Sequence, residues 1–156
     1  MRPDRTSTYG HPMTITTNTT APILDDATAQ DLSERLADFF RTTETGDVFS
    51  RDVFLDGHPP FWRFQLQGRD NLADWYRSYA PDGCDTTVIN VIPTAIGFVT
   101  EFVGQHTENG EVVTDRKVLI CRVSGAQITE LTIYCSGDWD AELRARHAAE
   151  TTLLRP

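Results

Sequence analysis

Asp56, His58, Glu101 and Arg116 are the residues of this 156-residue chain best suited to acid–base work. A guanidinium offers a fixed fork of donors, so an Arg116–Glu101 pair can hold a substrate carbonyl or hydroxyl, or place a water. The same pair can equally act as an internal ion pair that fixes a sheet. Asp56 closes the apolar run Val53-Phe54-Leu55. In apolar surroundings a carboxylate becomes a stronger base, which suits proton abstraction. Asp-Gly also simply ends strands, so Asp56-Gly57 has a plain turn reading as well. His58 is an acid, base or orienter for Asp56 if it points inward. Beside Pro59-Pro60 it is otherwise an exposed loop residue.

The elements that must hold these groups are clearest in Phe98–Cys135, which reads as two consecutive β-hairpins. Asn109-Gly110 supplies the left-handed residues of a type I′ turn, and Ser124-Gly125 offers a second turn between Val123 and Ala126. With two-residue loops, 108 faces 111 and 123 faces 126, and every other pairing follows. One face then carries Val99, Glu101, Val103, Gln105, Thr114, Arg116, Val118, Ile120, Leu131, Ile133 and Cys135. The other carries Thr100, Phe102, Gly104, His106, Val113, Asp115, Lys117, Leu119, Cys121, Glu130, Thr132 and Tyr134. The first set is the more aliphatic. A sheet buries its more apolar face, so Glu101, Gln105 and Arg116 are expected inside, as a polar spot in an apolar pocket.

Residues 1–24, rich in Thr, Pro and Asn, are expected to be a disordered leader, and 25–156 a single domain. Asp26 or Thr28 can cap a helix with Leu32, Leu36, Phe39 and Phe40 at helical spacing. Asp52–Asp56 and Phe61–Gln67 read as strands, Asp70 opens a helix with Leu72, Trp75 and Tyr76, and Thr86–Ile92 is a strand before the hairpins. A charged helix over about 139–151 closes the chain. This order is α+β, with helices on one face of a curved sheet. Trp62, Phe64, Trp75 and Tyr76 serve as core or as pocket lining, which overlap in a hollow fold.

A net charge of −9 argues against nucleic acid and anionic membrane surfaces as partners. Three cysteines without CxxC spacing fit a reduced, cytoplasmic setting better than a disulfide framework. No apolar run approaches the roughly 20 residues of a membrane span. No histidines share metal-ligand spacing, and there is no Gly-x-Ser-x-Gly, phosphate loop or dinucleotide fingerprint, so neither metal nor cofactor is expected.

The element order resembles the nuclear transport factor 2-like superfamily, nearest to its SnoaL-like polyketide cyclases and ketosteroid isomerases. The likeness rests on Phe39-Phe40, Val53–Asp56, Gln67–Leu72 with Trp75-Tyr76, and Ile128–Leu131 with Tyr134. It implies a cone in which a curved antiparallel sheet, with helices on its concave face, encloses an apolar pocket. It also implies frequent homodimers through the outer sheet face. On the isomerase pattern Asp56 falls on the general base and Tyr76 on a pocket tyrosine. Phe39 and Val118 stand where that enzyme has its oxyanion-hole tyrosine and aspartate, so steroid isomerisation by that route is not expected. The resemblance implies cofactor-independent acid–base chemistry on an apolar oxygenated small molecule: cyclisation, isomerisation, dehydration or epoxide opening. Asp56 would be the base, Arg116 with Glu101 the polarising or water-positioning pair, and Tyr76 or His58 a supporting donor. Tyr76, Trp62, Phe39, Val118, Leu131 and Cys135 would line the substrate site. The alternative is a non-catalytic ligand-binding or dimeric assembly module of the same fold.

Overall fold

The computed structural model describes residues 23–154, so nearly all of the expected leader lies outside the described residues. Helix α1 (Asp26–Thr42) begins where the Asp25 carboxylate accepts the Thr28 N–H at 2.9 Å, satisfying a free helix-start donor. It ends at Thr43, which adopts the left-handed conformation (φ 64°). Strands β1 (Phe49–His58) and β2 (Phe64–Gln67) follow, then helix α2 (Arg69–Tyr79). Four strands come next: β3 (Asp85–Thr94), β4 (Gly97–Glu108), β5 (Glu111–Ser124) and β6 (Gln127–Cys135). Helix α3 (Ala141–Glu150) closes the described chain, with the Asp140 carboxylate accepting the Leu143 N–H at 2.7 Å. No helix among the described residues is long and apolar enough to cross a membrane.

The architecture is α+β, a curved, unclosed six-stranded sheet in the order β2-β1-β6-β5-β4-β3. Neighbours pair antiparallel except β1 and β6, which run parallel. A parallel pair needs a long crossover, and the whole excursion through α2 and β3–β5 supplies it. The apolar side of α1 packs on β3 and β4, where the Ser33 and Thr100 hydroxyls meet at 2.8 Å. Phe39, Phe40, Phe49, Tyr76 and Phe102 fill the space between helices and sheet.

The first hairpin pairs as expected: Asn109 and Gly110 both have positive φ, and Glu108 faces Glu111, Glu101 faces Val118 and Val103 faces Arg116. The second does not. Ser124 pairs with Gln127 and the register shifts between Arg122 and Val123. The two-residue loop read from the sequence places Leu131 opposite Val118, whereas a two-residue turn one position later, Gly125-Ala126, and a bulge put it opposite Cys121.

That slip reverses the choice of buried face. Ile133 and Cys135 stand opposite Leu119 and Lys117, so they join the set containing Phe102, and that set becomes the more apolar one. Thr100, Phe102, Asp115, Lys117 and Leu119 are buried, while Arg116, Val118 and Ile120 face out. The expected inward placement of Glu101, Arg116 and Val118 is therefore corrected.

Candidate functional site

A cavity of about 540 Å³ opens between α2, β2 and the ends of β1, β5 and β6. Helix α2 contributes Trp75, Tyr76 and Tyr79, β2 contributes Phe64 and Leu66, and α1 contributes Phe40. Trp62, from the loop after β1, lines the mouth and is largely exposed. Ile133 and Cys135 come from β6, followed by Gly137 and Asp138. The walls are mostly aromatic because α2 places residues 72, 75, 76 and 79 on one side, three and four apart.

Besides His58, Tyr79 and Asp138 at its edge, the charged group of this hollow lies on β5. Lys117 lines it with its side chain 9% exposed, and its ammonium forms an ion pair with the fully buried Asp115. The ammonium also stands 5.8 Å from the centre of the Phe40 ring. Asp115 Oδ1 meets the Lys117 ammonium, and neither carboxylate oxygen has a further partner among the described residues. Oδ2, a buried acceptor facing no donor, is costly to leave open unless a water, ion or ligand group meets it. Gly104 on β4 makes room for the pair: a Cβ there would lie 2.8 Å from both Asp115 Oδ1 and Cys84 Sγ. A mid-strand glycine often marks such a close approach.

Both tyrosines at the cavity stay neutral donors. Burial pushes the phenols of Tyr76 and Tyr79 well above their ordinary range. Tyr76 donates to the Phe40 carbonyl at 2.9 Å, and Tyr79 donates to the Asp138 carboxylate at 2.8 Å. Burial likewise raises the Cys135 thiol, which accepts the Gly137 N–H at 3.3 Å, so it rests in its less reactive protonated form. Cys84, His106 and Asp115 bring potential metal-ligand atoms within 4.8 Å of one another. The Lys117 ammonium already contacts that carboxylate, a built-in cation that opposes a second one.

The expected catalytic residues are not gathered here. Asp56 accepts two hydrogen bonds from Arg63, at 2.9 and 2.7 Å, and lies 3.3 Å from His58 Nε2. The Arg63 guanidinium, with help from His58, holds this carboxyl down to about 2, so it is a weaker base than a free aspartate. The expectation of a raised basicity is thus reversed: the strand ends beside a cation, and Asp56 is absent from the cavity lining. His58 reaches the cavity edge while its ring stacks on Tyr134 of the outer face at 4.6 Å. Arg116 and Glu101 meet at 3.4 Å on that same outer face, with the Arg116 side chain 62% exposed. Phe39 and Leu131 are buried in the core and do not line the cavity, and Val118 is outside it. Tyr76, Trp62 and Cys135 do line it.

Lys117, Asp115, Tyr79 and Asp138 were not singled out as site residues in the sequence. The signal that finds the first two is the spacing Asp115-x-Lys117, two opposite charges on one strand face next to Gly104. Asp56 also makes a checkable prediction. Its folded pKa lies below the unfolded value of about 3.9, so its stabilisation is complete above that value and lost as pH falls through about 2. Thermal melts of Asp56→Asn and the parent chain should differ at pH 6 and converge between pH 4 and 2. A constant gap across that window would show that Arg63 does not hold Asp56 as described.

This architecture, helices on a curved sheet around a hollow, is the nuclear transport factor 2-like fold. Three solved structures show it. A protein from Jannaschia sp. CCS1, described as a SnoaL-like polyketide cyclase, matches 81% of this chain and 94% of its own at 12% identity and a TM-score of 0.59. A nuclear transport factor 2-like protein from Anabaena variabilis ATCC 29413 matches 72% and 89% at 17% identity and TM-score 0.58. A protein from Kribbella flavida DSM 17836, described as a ketosteroid isomerase-type protein, matches 71% and 79% at 15% identity and TM-score 0.55. At these identities the likeness is one of fold. The chain matches no protein-family model and no curated protein.

Proposed function

We propose that this protein binds an apolar, oxygenated small molecule and performs cofactor-independent acid–base chemistry on it at Lys117 and Asp115. The observation that carries the reading is the buried Lys117–Asp115 pair, whose ammonium lines a largely apolar cavity and is the carboxylate's only partner among the described residues. The ammonium is placed to donate to a carbonyl, enolate or epoxide oxygen, where a developing negative charge is worth most in a dry site. Asp115, buried behind Lys117 and outside the cavity lining, holds that ammonium charged and in place. The aromatic walls hold the carbon skeleton. Ring closure, isomerisation, dehydration and epoxide opening all fit this arrangement. Asp56, Glu101 and Arg116 have no part in it. A cytoplasmic setting accords with the free thiols of Cys84, Cys121 and Cys135.

The test uses 2-naphthol, an apolar ring system with one oxygen whose fluorescence reports its surroundings. The parent chain should bind it, and Lys117→Met should weaken binding about 10-fold or more, as loss of a charged donor does. Asp56→Asn and Arg116→Met should bind it like the parent. Equal binding by Lys117→Met, or loss of binding in Arg116→Met, would overturn the assignment. For a substrate found by this route, Asp115→Asn should lower turnover by about 10²–10⁴-fold.

A second reading, assembly as a homodimer, draws on Val118, Ile120 and Tyr134, which are 39%, 42% and 49% exposed on the sheet face away from the helices. Covering such a face by a second copy would bury Glu101 and Arg116 as well. In this reading those two residues steer association, whether or not the cavity is catalytic.

A further inference from the structure

Of the fourteen lysine and arginine residues in this chain, Lys117 is the only lysine. The ion pairs nearer solvent, Arg35–Asp47, Arg41–Asp38, Arg63–Asp56 and Arg122–Glu130, all use a guanidinium. A guanidinium never gives up its charge, whereas a lysine amine can lose its proton and is then a nucleophile. The one side-chain amine of the chain sits at the floor of the cavity, 9% exposed and over the Phe40 ring.

Holding Asp115 does not by itself call for lysine. Arginine matches a carboxylate with two parallel hydrogen bonds, while here Oδ2 of Asp115 faces no donor. The site also makes room for the amine. A Cβ at position 104 would lie 3.4 Å from Lys117 Nζ and 2.8 Å from Asp115 Oδ1, so glycine there keeps the space open. Burial disfavours charged forms, so the neutral amine–acid pair lies closer in energy to the ion pair here than in water.

We infer that Lys117 forms an iminium link with an aldehyde or ketone carried on an apolar skeleton. This rests on the proposed ligand-binding role of the cavity and names the carbonyl class of its ligand. One ammonium proton passes to Asp115, and the freed nitrogen lone pair attacks the carbonyl carbon. The C–N bond forms, the carbonyl π pair moves to oxygen, and the oxygen takes the proton from Asp115. That oxygen then leaves as water with a second nitrogen proton, while the nitrogen lone pair closes the C=N bond. The nitrogen keeps its third proton. Ammonium and carbonyl thus give iminium and water with no change in charge, and Asp115 neutralises the product as it does the resting amine. The walls of Phe64, Trp75 and Tyr76 shield the link from the water that would reverse it. An iminium draws electrons from the neighbouring carbon and labilises a C–H there. Isomerisation, ring closure and dehydration follow from it, and epoxide opening does not.

The experiment treats the full chain at neutral pH with 2-naphthaldehyde and sodium cyanoborohydride, which reduces an iminium to a stable amine. Peptide mass mapping then locates the naphthylmethyl group, which only Lys117 and a free α-amino group can carry. An α-amine normally reacts before a lysine, being the less protonated of the two. Here Lys117 should react about 10-fold faster than the α-amine, because the cavity holds the carbonyl against it. Saturating 2-naphthol should slow Lys117 labelling about 10-fold and leave the α-amine unaffected, and unfolding in urea should restore the ordinary order. Labelling of the α-amine first in the folded chain overturns the inference, as does Lys117 labelling that 2-naphthol does not slow. If 2-naphthol binds and Lys117 stays unlabelled, the cavity reading stands and the covalent link alone falls. If 2-naphthol does not bind and Lys117 stays unlabelled, both fall.

Discussion

Asp115→Leu should destabilise the fold by about 3–5 kcal/mol, read from urea unfolding at neutral pH. The reason is what the substitution leaves behind. Lys117 is 9% exposed and lies over the Phe40 ring, so without the carboxylate its ammonium is a buried charge with no counterion. Part of the cost is escapable, since the four-carbon stem can swing the ammonium into the cavity toward water, which favours the lower end of that range. Replacing both residues, Asp115→Leu with Lys117→Met, removes the charge along with its partner and should recover stability to within about 1 kcal/mol of the parent. The double variant also separates folding from function, because it keeps the cavity and loses the donor for a ligand oxygen. A cost below about 1 kcal/mol for Asp115→Leu alone would mean that water already reaches the pair, and the dry floor on which the chemistry depends would be gone.

The same pair explains how far the sequence could be read. Asn109-Gly110 sets the first hairpin because few residues other than Asn and Gly tolerate two successive left-handed conformations, and every pairing derived from it holds. Ser124-Gly125 carries no comparable constraint. The chain turns one residue later and adds a bulge, and a register error then propagates to every side chain of β6. With Leu131, Ile133 and Cys135 assigned to the wrong set, the rule that a sheet buries its more apolar face selects the wrong side. The rule itself is also strained here. A hollow fold lines its inner face with Asp115 and Lys117 and leaves Val118 and Ile120 outside, so polarity alone understates how deeply the functional face is buried. Asp56 fails for a different reason. Its neighbour Arg63 is seven residues away, and only the β1–β2 pairing, which sets Asp56 opposite Gln65, brings the guanidinium onto the carboxylate. The helices needed no such long-range knowledge, because the spacing of Leu32, Leu36, Phe39 and Phe40 is a local property, although the cap of α1 is Asp25 and not the expected Asp26 or Thr28.

Phe39→Ala should cost about 3–5 kcal/mol and lower the melting temperature by about 10 °C, while Phe39→Tyr should be destabilising without creating activity. Phe39 is 1% exposed, with ring centres 5.1 Å from Phe49 and 5.1 Å from Tyr76. Its side chain therefore closes the core behind the cavity wall and does not line the hollow, although the family resemblance sets it where a ketosteroid isomerase carries a catalytic tyrosine. A hydroxyl added to this ring enters a packed apolar cluster. The nearby Phe40 carbonyl already accepts the Tyr76 hydroxyl and the Cys84 N–H, so it offers little further capacity. An unpartnered buried hydroxyl costs about 1–3 kcal/mol, which sets the expected loss for the tyrosine variant. The pair of variants thus distinguishes packing from chemistry at one position. If Phe39→Tyr were as stable as the parent and bound 2-naphthol more tightly, the ring would have to reach the cavity. The polar centre would then lie nearer to α1 than Lys117 and Asp115 place it.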